Sequence, residues 1–120
     1  MNIRIIETDG KKIAVCESES VIIEDGQSAL EFVVNIGYGH GCHDIAVNKA
    51  ALSEDFFKLS NGVAGEVAQK FVNYRYRVAI IGDFSGYTSK PIRDYMYECN
   101  QGGHLYFVSD ESEALTMLSR

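Results

Sequence analysis

The stretch that decides the fold is Val78-Ala79-Ile80-Ile81-Gly82-Asp83-Phe84-Ser85-Gly86-Tyr87-Thr88-Ser89-Lys90-Pro91. Its first four residues form an unbroken apolar run, as a strand covered on both faces requires. A polar loop punctuated by glycine follows. Ser89 can cap a helix, and Pro91 is tolerated in that helix's first turn, where an N–H has no partner anyway. Buried strand, short loop, helix: this is one half of a parallel βαβ unit.

The same alternation continues on either side. Downstream, Ile92, Tyr95, Met96 and Cys99 give the helix an apolar stripe, and Gln101-Gly102-Gly103 breaks it. His104 to Val108 reads as a last strand. Asp110-x-x-Glu113 has the form of a capping box and opens a final helix with Ala114, Leu115 and Leu118 facing inward. Upstream, Val63, Val67 and Phe71 lie in one i, i+4 row and Ala64, Ala68 and Val72 in the next, which predicts a helix after Ser60-Asn61-Gly62. Small Ala64 and Gly65 would let that helix approach a neighbour closely. Ser53-Glu54-Asp55 looks like a helical start, with acids suited to the positive end of a helix dipole. Asp44 to Asn48 reads as a short buried strand. Before it, Asp25 or Ser28 can cap a helix running to about Ile36, with Ala29, Leu30, Val33, Val34 and Ile36 on its apolar face. Gly37, Gly39 and Gly41 are expected to end it. At the amino end, Asp9-Gly10 between the apolar runs 2–7 and 11–16 signals a tight hairpin, because both turn positions need positive φ. The order is therefore β-β-α-β-α-β-α-β-α. It predicts a single α/β domain over 1–120, with a mixed, mostly parallel sheet and helices packed on it.

Composition narrows the function classes. A chain of 120 residues is the usual size of one domain. Its net charge of −6 argues against binding nucleic acid or an anionic membrane, both of which need a basic face. No apolar run approaches the roughly 20 residues that cross a bilayer. Cys16, Cys42 and Cys99 are odd in number and form no C-x-x-C pair, which predicts free thiols and a cytoplasmic location.

A longer pattern spans Phe56-Phe57-Lys58-Leu59-Ser60-Asn61-Gly62-Val63-Ala64-Gly65-Glu66, then Gln69-Lys70-Phe71-Val72-Asn73-Tyr74, Ala79-Ile80-Ile81-Gly82-Asp83-Phe84, Tyr87-Thr88-Ser89 and Asn100. On these residues the chain resembles an uncharacterised, mainly bacterial family, domain of unknown function 4180. The resemblance covers nearly the whole chain and brings no activity with it. The element order is also similar to the STAS-like fold of anti-sigma-factor antagonists. In that fold a serine or threonine before a glycine at a helix start is a phosphorylation switch. The resemblance would place Leu59-Ser60-Asn61-Gly62-Val63 there. Asn61 precedes the glycine and cannot be phosphorylated, which leaves Ser60 as the nearby hydroxyl.

The residues show no complete catalytic or metal-binding constellation and imply no cofactor. His40, Cys42, His43 and Asp44 are all ligand types, but neighbours in sequence rarely point at one ion, and no distant pair completes the set. A Cys42–His43 nucleophile pair meets the same objection, since strand neighbours face opposite ways. Cys16 and Cys99 read as core residues. Tyr74-Arg75-Tyr76-Arg77 reads as a helix-to-strand turn with snorkelling side chains. More promising is the carboxyl edge of the sheet, where open α/β folds bind their ligands. If the strands ending at Asn48 and Ile81 are neighbours, Lys49, Ser60, Asn61, Asp83 and Ser85 surround one shallow groove. Gly62 and Ser89 start the adjoining helices, and Glu66 with Gln69 extends the surface along one of them. The leading expectation is a non-catalytic regulatory module. It would bind a protein partner through residues 60–71 and 83–89. The alternative is a small-molecule or nucleotide binder, or an enzyme, using the same edge. Self-association stays open.

Overall fold

The computed structural model describes residues 1–120. The strands are β1 (Asn2–Thr8), β2 (Lys11–Glu17), β3 (Asp44–Asn48), β4 (Arg77–Ile81) and β5 (Leu105–Val108). The helices are α1 (Gly26–His40), α2 (Val63–Tyr74), α3 (Lys90–Gln101) and α4 (Glu111–Leu118). Three short 3-10 turns, Lys49–Ala51, Glu54–Phe57 and Leu59–Asn61, fill the connection from β3 to α2. The strands stand in the sheet in chain order, β1-β2-β3-β4-β5. β1 is antiparallel to β2 and every other pair is parallel. The hairpin turn has positive φ at Asp9 (50°) and Gly10 (77°), the backbone that Asp-Gly favours.

Strand order decides where the helices go. Right-handed crossovers that step repeatedly in one direction put their helices on one face of the sheet. Side chains of α1, α2 and α3, including Ala29, Val33, Val67, Phe71, Ile92 and Met96, accordingly share one core with Cys16, Val47, Ile80 and Phe107. The opposite face is closed by α4 alone, whose Ala114 and Leu118 meet Ile13, Val15, Ala46, Ala79 and Tyr106. Alternating strand residues thus feed two cores, which is why 45–47 and 78–80 are buried throughout.

Several local expectations change in detail. Helix α1 runs past Ile36 to His40. Asp25 and Ser28 form its capping box together: the Asp25 carboxylate accepts from the Ser28 N–H, and Ser28 Oγ accepts from the Asp25 N–H. Gly41 ends the helix in the left-handed region (φ 67°), whereas Gly37 lies inside it, where a Cβ would run into the Tyr76 ring. Fully packed positions on α1 include Phe32, while Leu30 and Val34 are only half-buried. Gly65 has open space around it. The close helix approach occurs instead at Gly26, whose Cβ position lies 3.2 Å from Glu66 Cβ. Val72, expected in an apolar row, is 45% exposed. At α4, Asp110 accepts from the Glu113 N–H (2.8 Å), but the Glu113 carboxylate returns to the Ser109 hydroxyl rather than to Asp110.

The eight-residue helix α4 is too short to hold itself, since isolated helices need roughly 12–15 residues even to be marginal. Arg77 anchors it. Its guanidinium reaches the carbonyls of Met117 (2.9 Å), Leu118 (3.0 Å) and Arg120 (3.2 Å), the unpaired carbonyls expected at a helix C-terminus. It also meets Asp44 (3.2 Å), the Tyr106 hydroxyl (3.0 Å) and the Gly103 carbonyl (3.2 Å). Lys11 Nζ adds donors to Leu118 and Arg120 from the far side. Arg77 is therefore a tertiary clamp rather than a snorkelling surface residue.

Arg77→Met should destabilise the fold by about 3 kcal/mol, because it strands the buried Asp44 carboxylate and the helix carbonyls. Urea denaturation followed by circular dichroism measures this. A double-mutant cycle with Asp44→Asn should show clear non-additivity, and a loss within about 0.5 kcal/mol, the range of ordinary surface substitutions, would remove Arg77 from this role.

Candidate functional site

β3 and β4 are direct neighbours, so their carboxyl tips, Asn48 and Ile81, lie side by side. The chain after each tip builds one half of the site. After β3 comes the strap 49–62, with its three 3-10 turns. After β4 comes the loop 82–89.

Asn48 fixes the first half. Its side-chain amide accepts from the Ser18 N–H (2.8 Å) and donates to the Ser18 carbonyl (2.7 Å), prolonging the β2–β3 pairing by one step. Ile22 and Ile23 then donate to the Ala51 carbonyl, and Ser53 donates to Ile23. Ser53 caps the turn that follows by accepting from the Asp55 N–H. That turn delivers Phe56 and Phe57, both buried.

The two halves meet at a polar knot. The Tyr87 hydroxyl lies 2.8 Å from both oxygens of the Glu54 carboxylate, and Lys49 Nζ lies 3.1 Å from one of them. Lys49 also sits over two aromatic rings, 5.1 Å from the Tyr87 centroid and 5.6 Å from that of Phe57. Phe57 stacks on Tyr87 at 4.3 Å, and Phe84 packs against both and edge-on to Phe107. The lysine stem passes tightly over Gly82, where a Cβ would stand 2.6 Å from Lys49 Cβ.

The electrostatics follow from this packing. The Tyr87 hydroxyl and then the Lys49 ammonium hold the Glu54 carboxyl below its usual range. Tyr87 and Glu54 in turn raise Lys49, partly against its desolvation. Burial raises Tyr87. At neutral pH the lysine and tyrosine therefore keep their protons and Glu54 keeps its charge. None of the three is poised as a base or nucleophile.

The residues singled out in sequence separate into groups. Lys49, Asp83 and Ser85 come together at the tips. The Asp83 carboxylate accepts from the Ser85 N–H (2.9 Å), and Ser85 is the main cause of its lowered pKa, with a smaller contribution from Lys49. Asn61 is engaged within the strap. Its amide donates to the Asp55 carbonyl (2.8 Å) and its oxygen accepts from the Val63 N–H (2.9 Å), capping α2 from one residue before Gly62. Gly62 takes φ 79°, a conformation a β-branched residue would strain. Ser60 is exposed. Neither Ser60 nor Asn61 makes a side-chain hydrogen bond to loop 82–89; the strap meets that loop through Lys49, Glu54 and Phe57. Ser89 holds the N-cap position of α3, but its hydroxyl makes no cap bond. Glu66 lies against Gly26 on the α1–α2 seam, beside a polar groove of about 400 Å³ shared with Gln69 and Lys70.

The His40–Asp44 stretch disperses. Cys42 is buried with its thiol toward the His40 carbonyl, and burial raises its pKa. His43 stacks on Tyr76 at 5.0 Å, and Asp44 pairs with Arg77. No three histidine, cysteine or carboxylate side chains converge anywhere in the chain. Burial also pushes the Cys16 thiol up to about 11, as a packed cysteine requires.

Two concavities flank the knot. On the α3 side, a groove of about 390 Å³ is lined by Phe84, Ser85, Tyr87, Arg93 and Met96. On the α4 side, an open cleft of about 680 Å³ runs between the amino end of β1 and the tips of β2 to β4, with Glu17, Glu19, Asn48 and Glu111 among its walls. The sequence reaches Phe84 and Tyr87 only as members of the segment 83–89, and Glu54, Phe57, Arg93 and Met96 carry no signal that places them at the site. The usable signal was Phe84 and Tyr87, two large aromatics in an otherwise polar loop, which solvent exposure alone would not favour.

Tyr87→Phe should raise the Glu54 pKa toward the ordinary carboxylate value, as followed by side-chain carbon NMR through an acid titration. Because the folded pKa is depressed, the knot's stabilisation is present above the unfolded pKa and is lost as pH falls through the folded one. The variant should therefore show a weaker stability loss over that acid window, and an unchanged Glu54 titration would contradict the arrangement. Gly82→Ala should cost about 1–3 kcal/mol through the clash with the Lys49 stem, read by thermal unfolding.

Among curated proteins none matches this chain, and no solved structure does. No helix is long and apolar enough to cross a membrane. Residues 8–118 match the family described as Domain of unknown function (DUF4180), and with nearly the whole sequence inside that match the chain belongs to it.

Proposed function

We propose that this chain is a non-catalytic interaction module that docks a partner protein at the carboxyl edge of its sheet, on the surface made by loop 82–89 and the flank of α3. The observation that carries this reading is the groove between Phe84, Tyr87 and Met96. Its walls are aromatic and methionine side chains with an arginine at the rim, the residue types enriched where proteins meet. The knot beneath holds this surface in one shape, and its polar groups are spent on each other. The element order is consistent with a STAS-like module. In that analogy Ser60 is an exposed hydroxyl at the helix start, while Asn61 serves as a cap. Three unpaired cysteines support a reducing, cytoplasmic setting.

A second reading rests on the larger cleft. At about 680 Å³ it has the size of a small-molecule site. Its glutamates disfavour a nucleotide phosphate and favour a cationic or neutral ligand.

Ser85→Trp fills the groove from an exposed position without cutting the core. Affinity capture from the native lysate should recover a stoichiometric partner with the wild-type chain and lose it with this variant at unchanged Tm. Recovery of no such partner, or equal recovery by both proteins, would refute docking here. A thermal-shift screen that instead finds a small molecule raising Tm, with Glu17→Gln and Glu19→Gln abolishing the shift, would establish the second reading.

A further inference from the structure

Resting on the docking reading, we infer that the groove on the α3 side takes a short segment of a partner protein in which an apolar or aromatic anchor stands beside a carboxylate, and that Arg93 reads that carboxylate. The chain carries a net charge of −6, so an acidic segment is repelled by most of its surface. Four other concavities each have at least one carboxylate in the wall: Glu17, Glu19 and Glu111 in the large cleft, Glu113 or Asp83 in two others, Glu66 on the α1–α2 seam. The groove at Phe84 has none, and its only charge is the Arg93 guanidinium.

The neighbouring cations are already occupied. Lys49 is paired with Glu54, and Lys90 with Asp94 one turn along α3. Arg93 has no ion-pair partner and is exposed, while Met96, one turn further on the same face, closes the groove bottom. An anchor side chain seated on Met96 between Phe84 and Tyr87 would place its neighbouring residue at the guanidinium. The planar fork of arginine suits a carboxylate, and the flexible methionine adapts to the anchor. Local positive charge within an acidic molecule then gives this groove its preference for an acidic segment.

The test is to pan a phage-displayed library of random linear dodecapeptides against the full chain, then synthesise the consensus. Enriched peptides should carry Leu, Phe or Trp within two residues of Asp or Glu. Arg93→Glu, at an exposed position and with unchanged Tm, should weaken the consensus peptide about tenfold, the scale of one partly exposed charge pair reversed. Replacing the peptide's acid by lysine should restore binding to that variant. Peptides that shift the NMR amides of 84–96 but show no acidic bias, or bind Arg93→Glu equally well, would overturn the carboxylate inference and leave docking intact. Recovery of no peptide that binds the wild-type chain and loses that binding with Ser85→Trp would overturn both.

Discussion

The strands from β2 to β5 stand in the sheet in the order in which the chain makes them, and the rest of the molecule follows from that constraint. With right-handed crossovers, three connections in a row send three helices to the same face. One face is thereby covered well and the other is left to whatever comes after β5. What comes after is a helix of only two turns, which needs outside help. Arg77 supplies it from the first residue of β4, by holding the helix's terminal carbonyls while Asp44 on the next strand neutralises the charge. A cation in a buried strand is expensive unless every donor is used. Here its donors are spent joining three strands, a loop and a helix.

The same strand order shapes the carboxyl edge of the sheet. Because β3 and β4 are adjacent and parallel, the segments that leave them are forced together at their tips. Lys49 and Gly82 are the first residues beyond those tips, and they touch. Glu54 and Tyr87 close over them, and Phe57 and Phe84 seal the seam. Loops at a sheet edge normally cost ordering entropy when something binds. Two loops already tied to each other have met most of that cost during folding, which is the physical meaning of preorganisation here. The knot's chemistry points the same way: a protonated lysine, a protonated tyrosine and an ionised glutamate that satisfy one another form a fastener, not a reacting set.

Much of this was legible in the residues. The apolar run 78–81, the Asp-Gly hairpin and the i, i+4 rows of α2 each carry a strong local signal, and the element order with its mixed, mostly parallel sheet emerged from them. Adjacency of the tips at Asn48 and Ile81 was legible only as a condition, because strand order is a tertiary choice that local periodicity does not encode. Lys49, Asp83 and Ser85 were found through that condition. Ser60 and Asn61 follow the same strand, but Asn61 is engaged as a cap within the strap, and turn geometry over 49–62 has no period from which that could be read. Glu54 and Tyr87 lie 33 residues apart, and nothing in sequence announces that they meet. Arg77 looked like a surface residue for a similar reason: its partners are carbonyls on a helix 40 residues later.

Strap 49–62 and loop 82–89, tied together through Lys49, Glu54 and Tyr87, form one rigid, preassembled surface. Backbone nitrogen relaxation of the free protein tests it most directly. Order parameters of about 0.85 at residues 53–57 and 82–88, matching β3 and β4, are the predicted result. Values below about 0.6 across either segment would show two independent mobile loops and contradict it.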